Sequence, residues 1–399
     1  MRRLLALPLT APLLAGVLLL GGPAHAATSS SLRTQVEAAL AGSSARGVAV
    51  AVDVDGLGAV DRRGSTTPVP PASTEKLFTA ETALRVLGTD YRQRTELRSV
   101  GARYGPLLRG DLYLVASGDP FFTSAQLDGL ARSFATTGIK TISGHLVVDD
   151  TRYDRVRRGA GWKSTWVPQA SGPLSAMALD GNQWRHDAAF LADPATPVLS
   201  KLRAYLDRKG IRFTTADARL GPAPTRAAVL AGVSSAPLSA TVTRILKTSD
   251  NFAAELLLKE VGRVGRGTGS SAAGVQVVHD QTGSSGTVVD GSGLSPYGRQ
   301  TTAHELELLQ SAFVDLKHKL PVGCRDGTLL HRFCGTVASG RVYAKTGTLD
   351  TSRALAGWTY TRDGHLVTFS FLLSGFTNGT AATKAIDRAV VVLAGATVS

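Results

Sequence analysis

The sequence predicts an α+β domain whose two halves flank a β-rich insertion. A helix followed by strands is predicted near the N-terminus, and strands followed by an amphipathic helix are predicted at the C-terminus. Between them, short apolar runs alternate with Gly, Pro and Asp turns. The chain has 399 residues, of which 43% are hydrophobic, so it is long and apolar enough for more than one packed core.

The first half of this domain is assigned to residues 27–95. Prolines at 68, 70 and 71 end the preceding segment, and an apolar stripe then predicts a helix that ends at Gly88. Ser73 is therefore expected in the first turn of a helix that is buried on one face. The other elements predicted here are a helix at 30–40 and strands at 47–54 and 59–62.

The insertion is assigned to residues 96–233 and the second half of the domain to residues 234–399. Within the insertion, the sequence predicts a helix at 124–136 and a strand at 144–148. The second half is predicted to contain helices at 237–247, 251–260, 302–313 and 381–393, and strands at 341–345, 353–360 and 365–373.

The N-terminus has the pattern of a secretory signal. Arg2 and Arg3 precede an apolar stretch over 4–20, and Ala24-His25-Ala26 offers small residues for cleavage after Ala26. We therefore expect residues 1–26 to be a signal peptide and the protein to be secreted and associated with the cell wall. A retained membrane anchor is the alternative, because the apolar stretch approaches spanning length.

The chain is basic, with 44 Lys and Arg against 31 Asp and Glu and a formal charge of +13. Such a surface favours anionic partners, among which anionic wall polymers are candidates. Nucleic acid is not expected, because no run of Lys and Arg exceeds two residues and no nucleic-acid-binding motif is present.

The chain has two cysteines, Cys324 and Cys334, which are ten residues apart. Outside the cytoplasm, two cysteines so close together are expected to form a disulfide. The alternative is a pair of buried thiols. A metal site is not expected, since neither cysteine has neighbours of a metal-ligating type.

Ser73 and Lys76 form a Ser-x-x-Lys pattern at the start of the predicted helix. This spacing puts both side chains on one helix face, one turn apart, so the lysine can serve as the base for a nucleophilic serine. Taken alone, the pattern also fits a helix-capping serine followed by a solvated lysine. A Ser-His-Asp enzyme is disfavoured, because the chain has no Gly-x-Ser-x-Gly pattern and no histidine in a recognisable triad context.

Two further motifs follow in order. Ser249-Asp250-Asn251 lies between two predicted helices, and Lys345-Thr346-Gly347-Thr348 ends a predicted strand. Each has an ordinary explanation, a helix cap for the first and a strand-end turn for the second. The three motifs in this order, in an exported protein, instead favour a serine enzyme with a lysine base.

With these motifs the sequence resembles the penicillin-recognising serine enzymes, which include penicillin-binding proteins and serine β-lactamases. The 176 residues from Ser73 to Ser249 and the 96 from Ser249 to Lys345 resemble the D-alanyl-D-alanine carboxypeptidase/endopeptidase family typified by penicillin-binding protein 4, serine peptidase family S13. In one departure, Pro296 and Tyr297 stand where that family often has a basic residue. Further matching segments lie at 110–114, 117–120, 146–150, 290–295 and 326–329.

This resemblance implies an antiparallel sheet flanked by helices and a shared set of catalytic roles. Ser73 would be the nucleophile and Lys76 its base, with Lys345 supplying a second positive charge that lowers the pKa of Lys76. Ser249 would relay a proton to the leaving amine, and Asn251 would hold the Lys76 ammonium and a substrate peptide group.

The resemblance also implies substrate-binding roles. The backbone N–H groups of Ser73 and Thr348 would stabilise the tetrahedral intermediate. The hydroxyls of Thr346 and Thr348 would bind the terminal D-Ala carboxylate, and Gly347 would let the substrate lie along the strand edge. Asp119 is a candidate for binding a free amino group of the stem peptide, although it also fits a simple turn residue. No metal or organic cofactor is needed.

The function expected is a D-Ala-D-Ala carboxypeptidase with added endopeptidase activity on peptidoglycan, inhibited by β-lactams. A serine β-lactamase is one alternative. It is disfavoured by the long insertion and by the lack of a recognisable deacylating Glu motif between the second and third motifs. A catalytically inert wall-binding protein is the other alternative, suggested by the basic charge and the insertion.

Overall fold

The computed structural model describes residues 26–283 and 285–398. The predicted signal peptide at 1–26 therefore lies outside the described residues, except for Ala26. The first part of the chain folds as predicted, with small shifts at the element ends. Its elements are α1 (Ser29–Ala41), β1 (Gly47–Val54), β2 (Gly58–Asp61) and α2 (Glu75–Leu87).

The middle part of the chain contains more helix than the sequence analysis predicted. The predicted helix at 124–136 is present, and three further helices accompany nine short strands. The elements are β3 (Arg94–Ser99), β4 (Ala102–Tyr104), β5 (Leu107–Arg109), β6 (Leu112–Val115), α3 (Ser124–Ala135), β7 (Thr141–Ile142), β8 (Leu146–Asp149), α4 (Trp166–Gln169), α5 (Ala188–Ala192), α6 (Thr196–Arg208), β9 (Arg212–Phe213), β10 (Ala218–Leu220) and β11 (Ala228–Ser234).

The last part of the chain returns to long helices and strands. The predicted helices and strands are present, and the structure adds a helix at 271–282 that the sequence analysis did not predict. The elements are α7 (Leu238–Thr248), α8 (Asn251–Arg266), α9 (Ser271–Thr282), α10 (Thr302–Ser311), α11 (Phe313–Leu316), β12 (Tyr343–Leu349), β13 (Ser352–Tyr360), β14 (Leu366–Ser374) and α12 (Gly379–Gly395).

One five-stranded sheet combines the two ends of the chain in the order β12-β13-β14-β1-β2. All its pairings are antiparallel, as expected from the resemblance. Helices α1 and α12 pack against one face, where Val50, Phe371 and Ile386 share a core. A second core lies among α2, α7, α8 and α10 and includes Trp358 of β13. The sheet is therefore a central layer between two helical layers, and β12 forms one of its edges.

The middle part of the chain forms two smaller sheets, in the orders β10-β8-β6-β3-β11 and β4-β5-β7-β9. Helices α3 and α6 pack on them, and the shared core also takes in Phe252 and Leu256 from α8. Because α8 contributes to both cores, the inserted segment packs directly on the helix that begins at Asn251.

Cys324 and Cys334 form the predicted disulfide, with their Cα atoms 4.9 Å apart. Over residues 26–283 and 285–398, no helix has the length and apolar character needed to cross a bilayer. The same residues hold no cluster of His, Cys, Asp and Glu suited to a metal ion.

Candidate active site

Ser73 lies in a single 3-10 turn, Ala72–Thr74, that leads directly into α2. The structure therefore places it at the start of the helix, where the sequence analysis expected it. Thr74 fixes this turn, since its hydroxyl oxygen lies 2.8 Å from Pro71 O and 2.5 Å from a carboxylate oxygen of the buried Glu305, which compete for its single proton. Ser73 itself is half-buried.

Lys76 is fully buried one turn further along, and its amine meets three oxygen atoms. Nζ lies 3.0 Å from Ser73 Oγ, 2.8 Å from Asn251 Oδ1 and 2.7 Å from Ser292 O. The last two are carbonyl oxygens, which can only accept. In the neutral amine they take its two N–H bonds, and the remaining lone pair points at the Ser73 hydroxyl. This geometry suits removal of a proton from Ser73.

Burial lowers the pKa of Lys76 to about 8, although the surrounding carboxylates of Asp290, Asp250, Glu255 and Glu75 favour its ammonium form. Desolvation therefore outweighs the attraction of four acids. With a pKa of about 8, a useful fraction of Lys76 is neutral near physiological pH, as a general base requires.

Ser249 and Asn251 lie at the joint between two helices, as the sequence predicted. Ser249 ends α7 with a left-handed backbone (φ 58°), and the Asp250 side chain caps α8 by accepting from Ala253 N. A non-glycine residue in this region is strained, and such residues cluster at functional sites. The sharp turn directs Asn251 toward Lys76, and the Asn251 amide nitrogen also donates to Ala170 O of the inserted segment at 3.3 Å.

Lys345 lies within β12 and is fully buried. Its Nζ donates to Ser249 Oγ at 2.8 Å and to Thr346 O at 2.9 Å. The strand was predicted at 341–345, with the third motif at its end. In the structure it runs over Tyr343–Leu349, so the motif occupies the strand itself, because pairing with β13 extends to Leu349.

Burial lowers the pKa of Lys345 well below its ordinary value, and the nearby charge of Lys76 lowers it further. The sequence analysis expected a charged Lys345 to depress the pKa of Lys76. The structure favours the reverse, because carboxylates surround Lys76 whereas Lys345 meets only neutral oxygens among the described residues. Of the two lysines, Lys76 is therefore the one that more readily carries the positive charge.

Two glycines allow the backbone segments of the site to touch. A Cβ at Gly347 would lie 2.7 Å from Pro71 O, so glycine lets β12 press against the turn that carries Ser73. A Cβ at Gly293, where φ is +71°, would lie 1.8 Å from Ala72 O, so the 290–295 loop reaches that turn from the other side. The sequence analysis had expected Gly347 to make room for substrate, and the structure adds this packing role.

A cavity of about 280 Å³ opens beside the third motif. Thr346, Thr348 and Arg353 line it, and Thr346 Oγ1 donates to Thr328 Oγ1 at 2.8 Å. Thr328 belongs to the loop closed by the disulfide. In the sequence, the segment containing Thr328 resembles the family without indicating a role, and no pattern points to Arg353.

A second cavity, of about 180 Å³, lies where β12 ends, and Pro70, Lys163, Trp166 and Leu349 are among its lining residues. Larger cavities of about 810 and 820 Å³ lie along α1 and α12. None of the motif residues lines these larger cavities, whereas Thr346, Gly347 and Thr348 line the cavity of about 280 Å³, which is therefore the one that bears on the chemistry.

Asp119 is not bonded to the three motifs among the described residues. It is 5% exposed, and its Oδ1 accepts from Phe121 N at 3.0 Å, as a turn residue does. Burial raises its pKa, and the positive charge of Arg244 on α7 opposes that rise. The structure thus brings together Ser73, Lys76, Ser249, Asn251 and Lys345, and leaves Asp119 outside the group.

A central antiparallel sheet, with a half-buried serine and a buried lysine beside its edge strand, is the arrangement expected of the penicillin-recognising serine enzymes. The sequence profile of the D-Ala-D-Ala carboxypeptidase 3 (S13) family matches residues 32–190 and 185–397. A D-alanyl-D-alanine carboxypeptidase from Actinomadura sp. (strain R39) is 30% identical over 94% of this chain and 87% of its own length. The chain therefore belongs to the S13 family and is a serine-type D-Ala-D-Ala carboxypeptidase.

Solved structures agree on the fold. Penicillin-binding protein 4 from Haemophilus influenzae superposes with a TM-score of 0.78 at 21% identity, over 90% of this chain and 98% of that one, and it has also been solved with a β-lactam. The Bd3459 predatory endopeptidase from Bdellovibrio bacteriovorus, acylated by penicillin G, gives a TM-score of 0.57 at 19% identity, over 86% of this chain and 92% of that one.

Proposed function

We propose that the protein is exported and removes the terminal D-Ala from peptidoglycan stem peptides through an acyl-enzyme on Ser73. The contact that carries this proposal is the 3.0 Å separation between Ser73 Oγ and Lys76 Nζ, with both other partners of Lys76 being carbonyl oxygens. Lys76 takes the Ser73 proton, and Oγ then attacks the carbonyl carbon of the penultimate D-Ala.

Protonation of the leaving amine is the next requirement. Ser249 accepts a hydrogen bond from Lys345 Nζ at 2.8 Å, so its hydroxyl can transfer a proton from the lysines to the leaving amine. The C–N bond then breaks and D-Ala leaves. Water attacks the ester carbonyl and regenerates the free Ser73 hydroxyl. A carboxylate bound near Lys345 favours protonation of that lysine, which lets Lys76 remain neutral.

Substrate binding is proposed at the edge of β12, where residues 345–349 follow the part of the strand that is bonded to Pro321 and Val322. An extended peptide can add to this edge as a further strand, with its terminal carboxylate at the hydroxyls of Thr346 and Thr348. The backbone N–H groups of Ser73 and Thr348 stabilise the tetrahedral oxyanion, and one such donor lowers the barrier by about 3 kcal/mol.

Endopeptidase activity on cross-links is the second part of the proposal. A cross-link presents the same D-Ala carbonyl, with a longer leaving group in place of D-Ala, and the cavity of about 280 Å³ beside Thr348 offers room for it. The Bdellovibrio endopeptidase shares the fold. Asp119 is proposed to hold a free amino group of the stem peptide, since a buried carboxylate with one bonded oxygen retains acceptor capacity.

Export is supported by the N-terminal pattern at 1–26 and by the disulfide, since disulfides persist in oxidising compartments. Peptidoglycan also lies outside the cytoplasm. The family assignment favours this enzyme over the β-lactamase and over the inert wall-binding protein.

A fluorescent penicillin tests the acyl-enzyme directly. Wild-type protein should be labelled in a one-to-one ratio, with the label located on Ser73 by mass spectrometry. Ser73→Ala should remain unlabelled, whereas the matched control Ser133→Ala, on the exposed face of α3, should label like wild type. Labelling of the Ser73→Ala variant would refute the proposal. Rapid turnover of a chromogenic β-lactam would support the β-lactamase instead.

Defined muropeptides test the substrate. Release of D-Ala from a pentapeptide monomer and cleavage of a cross-linked dimer should both be lost in Ser73→Ala. If the dimer is untouched by an enzyme that processes the monomer, the endopeptidase part of the proposal is wrong.

A further inference from the structure

The indole of Trp162, in the inserted segment, contacts the 290–295 loop that lies next to Lys76. Trp162 is 6% exposed, and its Nε1 donates to Asp290 Oδ2 at 2.7 Å, across 128 positions of sequence. Its ring belongs to the core shared by the inserted segment and α8. A side chain anchored in that core is thus bonded to a carboxylate beside the catalytic machinery.

Asp290 organises its own loop by accepting several hydrogen bonds. Its carboxylate is 1% exposed and accepts from the Ser292 hydroxyl at 2.6 Å and from the backbone N–H groups of Gly293 and Leu294, each at 3.1 Å. A weaker contact comes from Ser295 N at 3.4 Å. Together with the Trp162 indole, these donors fold the 290–295 segment tightly around one carboxylate.

This loop presents one of the two carbonyl oxygens that orient the Lys76 amine. Ser292 O accepts from Lys76 Nζ at 2.7 Å, the shortest of the three contacts of that amine. The same loop touches the turn carrying Ser73, because Gly293 packs on Ala72 O. A shift of the loop would therefore move the Lys76 amine relative to Ser73 Oγ.

We propose that Trp162 and Asp290 are positioning residues, through which the inserted segment fixes the direction of the Lys76 lone pair. The inserted segment is then part of the catalytic apparatus, in addition to any substrate it binds. This inference rests on the proposed roles of Ser73 and Lys76.

Asp290 has a second, electrostatic effect on the amine. The charged groups around Lys76 are Glu75 on α2, Asp250 and Glu255 at the start of α8, Asp290 on the loop and Lys345 on β12. Of the carboxylates, Asp290 favours the ammonium form most strongly. Its removal should lower the pKa of Lys76 further below about 8. Trp162 carries no charge, so the two residues are separable by experiment.

The first test is the rate of acylation by a fluorescent penicillin in Trp162→Phe, measured as a function of pH. This variant keeps an aromatic ring in the core, removes the N–H donor and also removes some ring volume, which thermal melting and the control variant below take into account. We expect the rate to fall about tenfold, less than the roughly 100-fold that misplacement of a reacting group by about 1 Å costs, because the other donors to Asp290 still hold the loop. The ascending limb of the pH profile should stay where it is in wild type, because no charge has changed.

Trp184→Phe is the matched control. Trp184 also lies in the inserted segment, and its indole N–H is buried without a hydrogen-bond partner among the described residues. Its replacement by Phe should leave the acylation rate within about twofold of wild type. Equal rates for Trp162→Phe and wild type, in the presence of normal thermal melting, would overturn the proposal.

Asp290→Asn tests the electrostatic effect of Asp290 on the pKa of Lys76. This variant keeps the size of the side chain, removes its charge and cannot accept all the same donors. We expect slower acylation together with an ascending limb displaced to lower pH. A folded Asp290→Asn enzyme with an unmoved limb and a wild-type rate would also overturn the proposal. Absence of labelling in wild type would instead refute the proposed function itself, so the two failures are distinguishable.

Discussion

The two lysines of the site differ because their neighbours differ. Lys76 has carboxylates around it and a pKa lowered to about 8, whereas Lys345 contacts Ser249 Oγ and a backbone carbonyl, and burial lowers its pKa well below the ordinary value. Two buried amines close together cannot both remain charged without a large desolvation penalty. A proton on one of these lysines can therefore move to the other when an anionic substrate binds. A site that must first accept a proton and later donate one needs this property.

Gly347 gives the sharpest prediction for a single residue. In Gly347→Ala the new Cβ would lie 2.7 Å from both Pro71 O and the Ala354 Cβ, which is closer than real Cβ contacts allow. The strand must move away from the Ser73 turn, so we expect acylation by penicillin to slow by roughly 100-fold, as misplacement by about 1 Å does.

Gly129→Ala is the control for Gly347→Ala. Gly129 lies within α3, and a Cβ there would meet nothing within 4 Å. This change should leave acylation unaltered and stabilise the protein by up to about 1 kcal/mol through helix propensity. Acylation kinetics and thermal melting measure both effects. A Gly347→Ala enzyme with normal kinetics would show that the strand need not touch the turn.

At the scale of elements, α10 supports the catalytic turn through a buried acid. Glu305 accepts from Thr74 Oγ1 at 2.5 Å and from Ser370 Oγ at 2.6 Å, which ties α10 to both the Ser73 turn and β14. Burial raises the pKa of Glu305 to about 7, although both hydroxyl donors favour its charged form. The link between helix, turn and sheet is therefore sensitive to pH.

Glu305→Gln tests this sensitivity. A carboxyl whose folded-state pKa is raised destabilises the fold once it ionises. Its contribution should reduce the free energy of unfolding as pH rises from about 4.3, the unfolded pKa, to about 7. Over that window the loss should be on the order of 3 kcal/mol.

The Glu305→Gln variant should lack the loss of stability caused by ionisation of Glu305. The Gln side chain has the same size as Glu and keeps one acceptor oxygen. Urea denaturation at pH 5 and pH 8 compares the two proteins. If the difference between wild type and variant is the same at both pH values, the pKa of Glu305 is not raised.

The helices and strands were predictable to the extent that their patterns were local. Helices α2, α7 and α8 follow from apolar spacing and capping residues around the motifs. Helix α6 was missed, although Val198, Leu199, Leu202 and Leu206 give it a buried stripe, because the turn-rich surroundings suggested strands. The end of β12 was misplaced because its last residues are held by pairing with β13, which no local pattern reveals.

The candidate catalytic residues could be proposed from sequence because three ordered motifs carry them. The residues that support them could not be proposed from sequence. Trp162 and Asp290 are 128 positions apart, and nothing in either segment indicates the other. The same holds for Glu305, which touches Thr74 across 231 positions. Contacts of this kind depend on the packing of whole layers, which is fixed only when the chain folds.

At the scale of the whole molecule, two ends of one chain build the central sheet and the middle packs onto the helix that carries Asn251. The core of the middle segment includes Phe252 and Leu256 of α8, so that segment and the catalytic helix are packed as one body. The effect proposed for Trp162 depends on this arrangement, because it joins the inserted segment to the helix that carries Asn251.

The net charge of the molecule leads to the last prediction. The chain carries +13, and about +11 if Arg2 and Arg3 leave with the signal sequence. We expect the exported protein to bind cell walls through their anionic polymers. Because the Debye length falls from about 10 Å at 0.1 M salt to about 3 Å at 1 M, binding should weaken strongly over that range.

Cosedimentation with purified walls measures the effect, with walls stripped of anionic polymer as the control. The bound fraction should be high on intact walls at about 0.1 M salt and low on stripped walls or at about 1 M salt. Acylation by penicillin, which depends on buried groups, should change far less over the same salt range, because buried charges are screened less than exposed ones. Equal binding to intact and stripped walls would mean that the stem peptide, rather than the surface charge, holds the enzyme on the wall.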